Sequence, residues 1–190
     1  MTSVSKLQKG GAAIRSHAYW SLLGLIIQRP DYGYGLLQRI RQGYGDALPL
    51  SSVSHVYDGI KALERVGLIE MYVSRDGRKR YRAVPGVERV YTDWLIAQIP
   101  TERYRSRLFA HQVAALEGLP DLGLEVIEAY ERACLADESR MPVRTDTASG
   151  SLAVALTSEQ ARLAAQVETP WVNYARARFE ELSRIMDEPA

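Results

Sequence analysis

The sequence predicts a mostly α-helical protein with one small β-hairpin: a compact head of three helices and the hairpin, followed by an all-helical tail. Three observations lead there. Residues 16–66 carry three successive helical periodicities, and residues 68–84 switch to strand alternation around an Asp76-Gly77 turn signal. From Pro85 the periodicity is helical again to the end. Charge divides in the same way. Residues 1–100 hold 14 Lys and Arg against 8 Asp and Glu, residues 101–190 hold 10 against 15, and the whole chain stands at +1. Pro85 thus separates a head, residues 1–85, from a tail, residues 86–190.

Residues 1–13 are polar with two glycines and read as a loose arm. Ser16 is placed to cap a helix reaching Gln28, with Leu22, Leu23, Ile26 and Ile27 as its stripe and Pro30 and Asp31 as its stop. A second helix fits residues 34–44, with Leu36, Leu37 and Ile40 inward and Gly43 and Gly45 ending it. After a short loop, Ser51 or Ser52 caps a third helix reaching Val66. Its apolar positions Val53, Val56, Ile60 and Leu63 oppose a polar face of Ser54, Asp58, Lys61 and Arg65, and Gly67 closes it. Two strands follow. Ile69, Met71 and Val73 face inward on the first and Tyr81 and Ala83 on the second, with Arg80 and Arg82 outward. The tail is expected to hold helices at 87–99, 103–116 and 122–137, a polar loop at 139–151, and a last helical segment at 158–186 interrupted at Thr169-Pro170, where Pro170 either kinks the helix or opens a new one capped by Thr169.

Several functions find no support. His17, His55 and His111 are scattered, without cysteine or carboxylate at metal-ligand spacing. Gly33-Tyr34-Gly35 lacks both a third glycine and a preceding strand, so it is not a dinucleotide loop. There is no P-loop and no G-x-S-x-G, and acidic pairs such as Glu180-Glu181 fall on a solvated helical face. No enzyme, metal or cofactor is therefore expected. Cys134 is the only cysteine, which excludes an intrachain disulfide and fits a reducing compartment. The apolar run at 18–27 is shorter than the roughly 20 residues a bilayer requires. It is followed by Arg29, Pro30 and Asp31 rather than a cleavage site, so a cytoplasmic protein without membrane contact is expected.

The third helix and the hairpin together suggest a nucleic-acid reader. Small polar residues at the helix start (Ser51, Ser52, Ser54, His55) let a backbone approach base edges in a major groove. The hairpin beside it is basic at its tip and outer face, with Arg75, Arg78, Lys79, Arg80 and Arg82 able to straddle a phosphate backbone or enter the minor groove, or else to guard a sheet edge against pairing. Helix, helix, helix, hairpin is the order of a winged helix-turn-helix domain. Lys61 and Asp58 lie on the polar face, and Tyr57 flanks it, positioned for phosphate or for bracing the second helix.

Residues 18–84 resemble the winged helix domain of PadR-type regulators. The matching segments are Leu22-Leu23-Gly24-Leu25-Ile26, Tyr32-Gly33-Tyr34-Gly35-Leu36-Leu37, Val56-Tyr57, Leu63-Glu64-Arg65-Val66-Gly67-Leu68-Ile69 and Gly77-Arg78-Lys79-Arg80-Tyr81-Arg82. The order and spacing hold across about a third of the chain. Two departures stand out: Ser54 where the family usually has Gly or Thr nearby, and Asp58 where it has Pro. An acidic group there repels phosphate and suits a cytosine amino group or a local donor.

The resemblance implies a sequence-specific transcriptional regulator with double-stranded DNA as partner, acting as a repressor on an inverted-repeat operator. Tyr34 matches a family position near the DNA backbone, with a core tyrosine as its other reading. The helical tail implies a homodimerisation domain, with Val90, Trp94, Trp171, Phe179, Leu182 and Met186 as candidate interface residues. Trp94 has two readings: interface packing, or the lining of a pocket for a small-molecule effector at the dimer centre. The rival reading of the head is a protein-interaction module whose basic hairpin docks an acidic partner.

Overall fold

The computed structural model describes residues 2–44, 48, 50, 52–102, 106–138 and 152–187. It contains α1 (Thr2–Ala13), α2 (His17–Gln28), α3 (Gly33–Gly43), α4 (Val53–Arg65), β1 (Ile69–Val73), β2 (Lys79–Ala83), α5 (Val87–Glu102), α6 (Ser106–Ala114), α7 (Pro120–Glu138) and α8 (Leu152–Asp187). The fold is mostly helical with one small hairpin, as the periodicities predict. The expected loop at 139–151 and the expected start of a helix at residue 103 lie outside the described residues.

The head is organised around α2. Its residues from Trp20 to Ile26 are all buried, so it is a central helix rather than one with a single apolar stripe. α3 and α4 pack on it through Leu36, Leu37, Ile40, Val56, Ile60 and Leu63, each no more than 1% exposed. Asp31 and Tyr81 exchange backbone hydrogen bonds of 3.3 and 2.9 Å, which ties the segment before α3 to the hairpin. β1 and β2 pair antiparallel, with Ile69 opposite Ala83 and Val73 opposite Lys79. Gly77 supplies the positive φ that the tight turn needs.

The tail packs α7 against both α5 and α8. Phe109, Tyr130 and Trp171 form an aromatic triangle with ring centres 5.1 to 6.2 Å apart. Head and tail share one unbroken core. At their seam the Gln112 amide donates to the Ser21 hydroxyl at 2.9 Å, and the Tyr91 hydroxyl donates to the Gln112 carbonyl at 3.0 Å.

Three expectations fail. Residues 2–13 are a helix and not a loose arm; its buried face is made of Leu7, Gly10 and Gly11, so no row of apolar side chains marks it in the sequence. Met71 and Val73, expected inward, are 40% and 63% exposed because the hairpin projects beyond the body after Ile69. α8 carries Pro170 inside a single helix, so Thr169 does not cap a new one. Pro170 and Gln166, whose carbonyl it leaves without a helical partner, are both exposed residues.

Candidate nucleic-acid interface

α4 has one face in the core and one in solvent. Val56, Gly59, Ile60 and Leu63 are buried, while Ser54, His55, Tyr57, Asp58, Lys61 and Arg65 are exposed. Ser54, Asp58, Lys61 and Arg65 are spaced four, three and four apart, which aligns them along one side at 3.6 residues per turn. Val53, expected inward, is 42% exposed, because the first turn of α4 extends past the helices it packs on. Ser52 is the N-cap: its hydroxyl accepts from the His55 N–H at 3.2 Å, which fixes where the helix begins. Ser51 lies outside the described residues.

The start of α3 is where α4 and the hairpin converge. The Tyr57 ring lies on Gly33 so closely that a Cβ at position 33 would sit 2.6 Å from its Cζ. One residue earlier, the Tyr32 ring faces the Arg78 guanidinium at 5.4 Å. Tyr34 is exposed on the first turn of the same helix. Tyr34, Tyr57 and Arg78 are thus gathered around one helix N-terminus, which the Asp31 carboxylate covers, accepting from the Tyr32 N–H at 2.9 Å.

The hairpin cations are not equivalent. Asp76 at the tip accepts from Ser74 Oγ, from the Arg78 backbone N–H at 3.2 Å and from the Arg80 guanidinium at 3.0 Å. Those donors, Ser74 first, hold its carboxyl down to about 2. Arg80 is thereby neutralised in place. Arg82 is also committed, donating to Glu70 at 2.7 Å and lying over the Tyr72 ring. Arg75 and Lys79 are exposed and make no ion pair among the described residues, and neither do Lys61 and Arg65 on α4. Arg78 is intermediate, 4.0 Å from the Asp76 carboxylate but largely solvent-facing.

The expected interface residues of the tail are distributed differently. Val90 and Phe179 are buried within the chain. Trp171 and Leu182 pack against the chain's own core, which leaves Met186 exposed. A second apolar stripe on α8, missed in the sequence, is exposed instead: Leu152, Leu156, Leu163, Val167, Tyr174 and Ile185. Its spacing of four, seven, four, seven and eleven confines it to about 60° of the helix surface. The spacing is present in the sequence, but a last helix beginning at residue 158, as the periodicity predicts, leaves out its first two members.

Trp94 stacks on Trp20 with ring centres 4.6 Å apart and planes within 5°. The pair walls an open cleft of about 510 Å³ between the end of α1, the start of α2 and α5, with Gln8, His17, Asp93 and Gln98 on its rim. Among the described residues no group of three or more His, Cys, Asp or Glu is placed to hold a metal, and no helix is long and apolar enough to cross a membrane. No protein-family model matches the chain, and no curated protein matches it.

Proposed function

We propose that the protein is a sequence-specific DNA-binding transcriptional regulator of the PadR type, a homodimeric winged helix-turn-helix repressor acting on an inverted-repeat operator. The observation that carries this reading is the convergence at the start of α3. The exposed polar face of α4, through Tyr57, and the basic hairpin, through Arg78, meet there, and both elements carry exposed cations that make no ion pair among the described residues. A helix with a polar outer face suits a major groove, and a cationic hairpin at its side suits the flanking phosphates.

Dimerisation is supported by the exposed stripe of α8. Its six side chains present on the order of 700 Å², close to the roughly 800 Å² per partner of a standard interface. A second copy covering that stripe through a two-fold axis would present two heads to two half-sites. The cleft at Trp94 is one place among the described residues where a small effector would fit.

Selection of bound sequences from a random duplex pool tests the reading. The expected product is an inverted repeat, bound with strong salt dependence and far more tightly than scrambled duplex. Recovery of no preferred sequence, with equal weak binding to all duplexes, overturns it.

A further inference from the structure

We propose that α1 is a detachable latch, docked through Gly10 on the backbone at the end of α4 and through Gly11 on Val90 and the Trp20 edge of the Trp20–Trp94 wall. Gly10 faces the C-cap of α4 so closely that a Cβ there would lie 2.5 Å from the Val66 carbonyl oxygen. At Gly11 a Cβ would lie 2.7 Å from Val90 Cγ1 and 3.2 Å from the Trp20 ring. One short helix therefore touches both the closing residue of α4 and the edge of the cleft.

Little else holds it. Leu7 is the one large buried side chain described on α1. Two adjacent glycines lower its intrinsic helicity by roughly 1 kcal/mol each relative to alanine, and twelve residues are too few for a stable isolated helix. The segment after it is better anchored, because Ile14 is buried and its carbonyl accepts from Trp20 Nε1 at 3.1 Å. Residues 14–16 are non-helical and form a hinge with one fixed end. An element with few apolar contacts on an anchored hinge belongs to the low-stability end of a fold, where opening occurs without global unfolding. Opening uncovers Trp20 and Val90, both now buried, widens the cleft and frees the Val66 end of α4. Because the contact is at α4, the latch also sets duplex affinity if α4 meets DNA as proposed above.

Hydrogen exchange on the full-length protein tests the latch. In the wild type, α1 amides are expected to exchange by local opening, ahead of those of α2. Alanine normally strengthens a helix, so Gly10→Ala or Gly11→Ala would slow exchange in an undocked α1. Docking predicts the opposite: about tenfold faster exchange in α1, with the amides of residues 66–68 following. The double variant Gly11→Ala with Val90→Ala removes the closer clash, leaves the Trp20 ring at 3.2 Å and is expected to restore part of the protection, whereas no side-chain change relieves Gly10→Ala, which meets a backbone oxygen. Slower exchange in the alanine variants, or α1 exchanging together with α2, overturns the proposal. Duplex titration of Gly11→Ala then reads the coupling. Unchanged affinity with a released α1 overturns control of α4. A wild type that binds no duplex defeats the functional reading, while the exchange data still decide the latch.

Discussion

The Asp76 carboxylate holds the Arg80 guanidinium at 3.0 Å across the hairpin tip, and with it Ser74 and the backbone of Arg78. A hairpin that reads as uniformly basic in sequence therefore presents its free charge through Arg75 and Lys79, with Arg78 in part, and keeps Arg80 as a brace.

Arg80→Ala should change duplex affinity little, while the double variant Arg75→Ala with Lys79→Ala should weaken binding to all sequences. Each lost phosphate contact reduces the salt slope by about one counterion. Asp76→Asn releases Arg80 and should steepen the slope by about one. Salt titration of the three variants on one scrambled duplex measures this. An Arg80→Ala slope as shallow as that of the double variant would show that the brace opens on binding. The carboxyl of Asp76 is lowered in the fold, so its contribution is present above its ordinary value near 4 and is lost as pH falls through about 2. Protection of the Arg78 amide should persist at pH 3 in the wild type and be weaker there in Asp76→Asn.

Gly33→Ala places a methyl where the Tyr57 ring lies. The atoms it meets are the far end of a side chain, so the ring should swing away and stability should fall by no more than about 1 kcal/mol. Duplex binding should fall as far as it does in Tyr57→Ala, and the two changes combined should cost no more than either alone. Additive losses would show that Tyr57 does not act from its seat on Gly33.

Two variants of α8 separate folding from association. Phe179 is buried within the chain, so Phe179→Ala should destabilise the fold by about 3–5 kcal/mol. Leu163 and Val167 are exposed, so Leu163→Glu with Val167→Glu should leave the monomer fold intact and give monomers in sedimentation. A dimer surviving the double glutamate change would place the interface elsewhere.

How much of this was legible follows from what each signal encodes. α2, α3 and α4 were readable because apolar spacing and the stops at Pro30, Gly43 and Gly67 agree. α1 was not, because a helix that buries glycine leaves no hydrophobic period. The inner stripe Trp171, Phe179 and Leu182 was found, yet periodicity reports that a face is covered and not by which chain. For the interface, the residues on α4 came from sequence. The sorting of hairpin arginines into free and paired did not, because Asp76 announces a turn while its hydrogen-bond partners depend on how the tip curls.

Lys61 carries the sharpest test of base reading. It shares the exposed line of α4 with Ser54, Asp58 and Arg65, and it makes no ion pair among the described residues. Its ammonium is free to donate to guanine O6 or N7 or to hold a phosphate, and the two roles differ in what they discriminate. A base contact is lost only on the preferred site. Lys61→Ala should then cost about 1–3 kcal/mol there and much less on scrambled duplex, collapsing the ratio of the two affinities. Ser54→Ala should act in the same sense more mildly, since a hydroxyl serves donor and acceptor edges alike. The hairpin double variant should lower both affinities and leave their ratio nearly unchanged. Competition at fixed salt between the selected operator and scrambled duplex measures all three. Equal losses for Lys61→Ala on both duplexes would make it a phosphate clamp. No loss on either would mean that the outer face of α4 does not enter a groove, and the proposed function would fall with it.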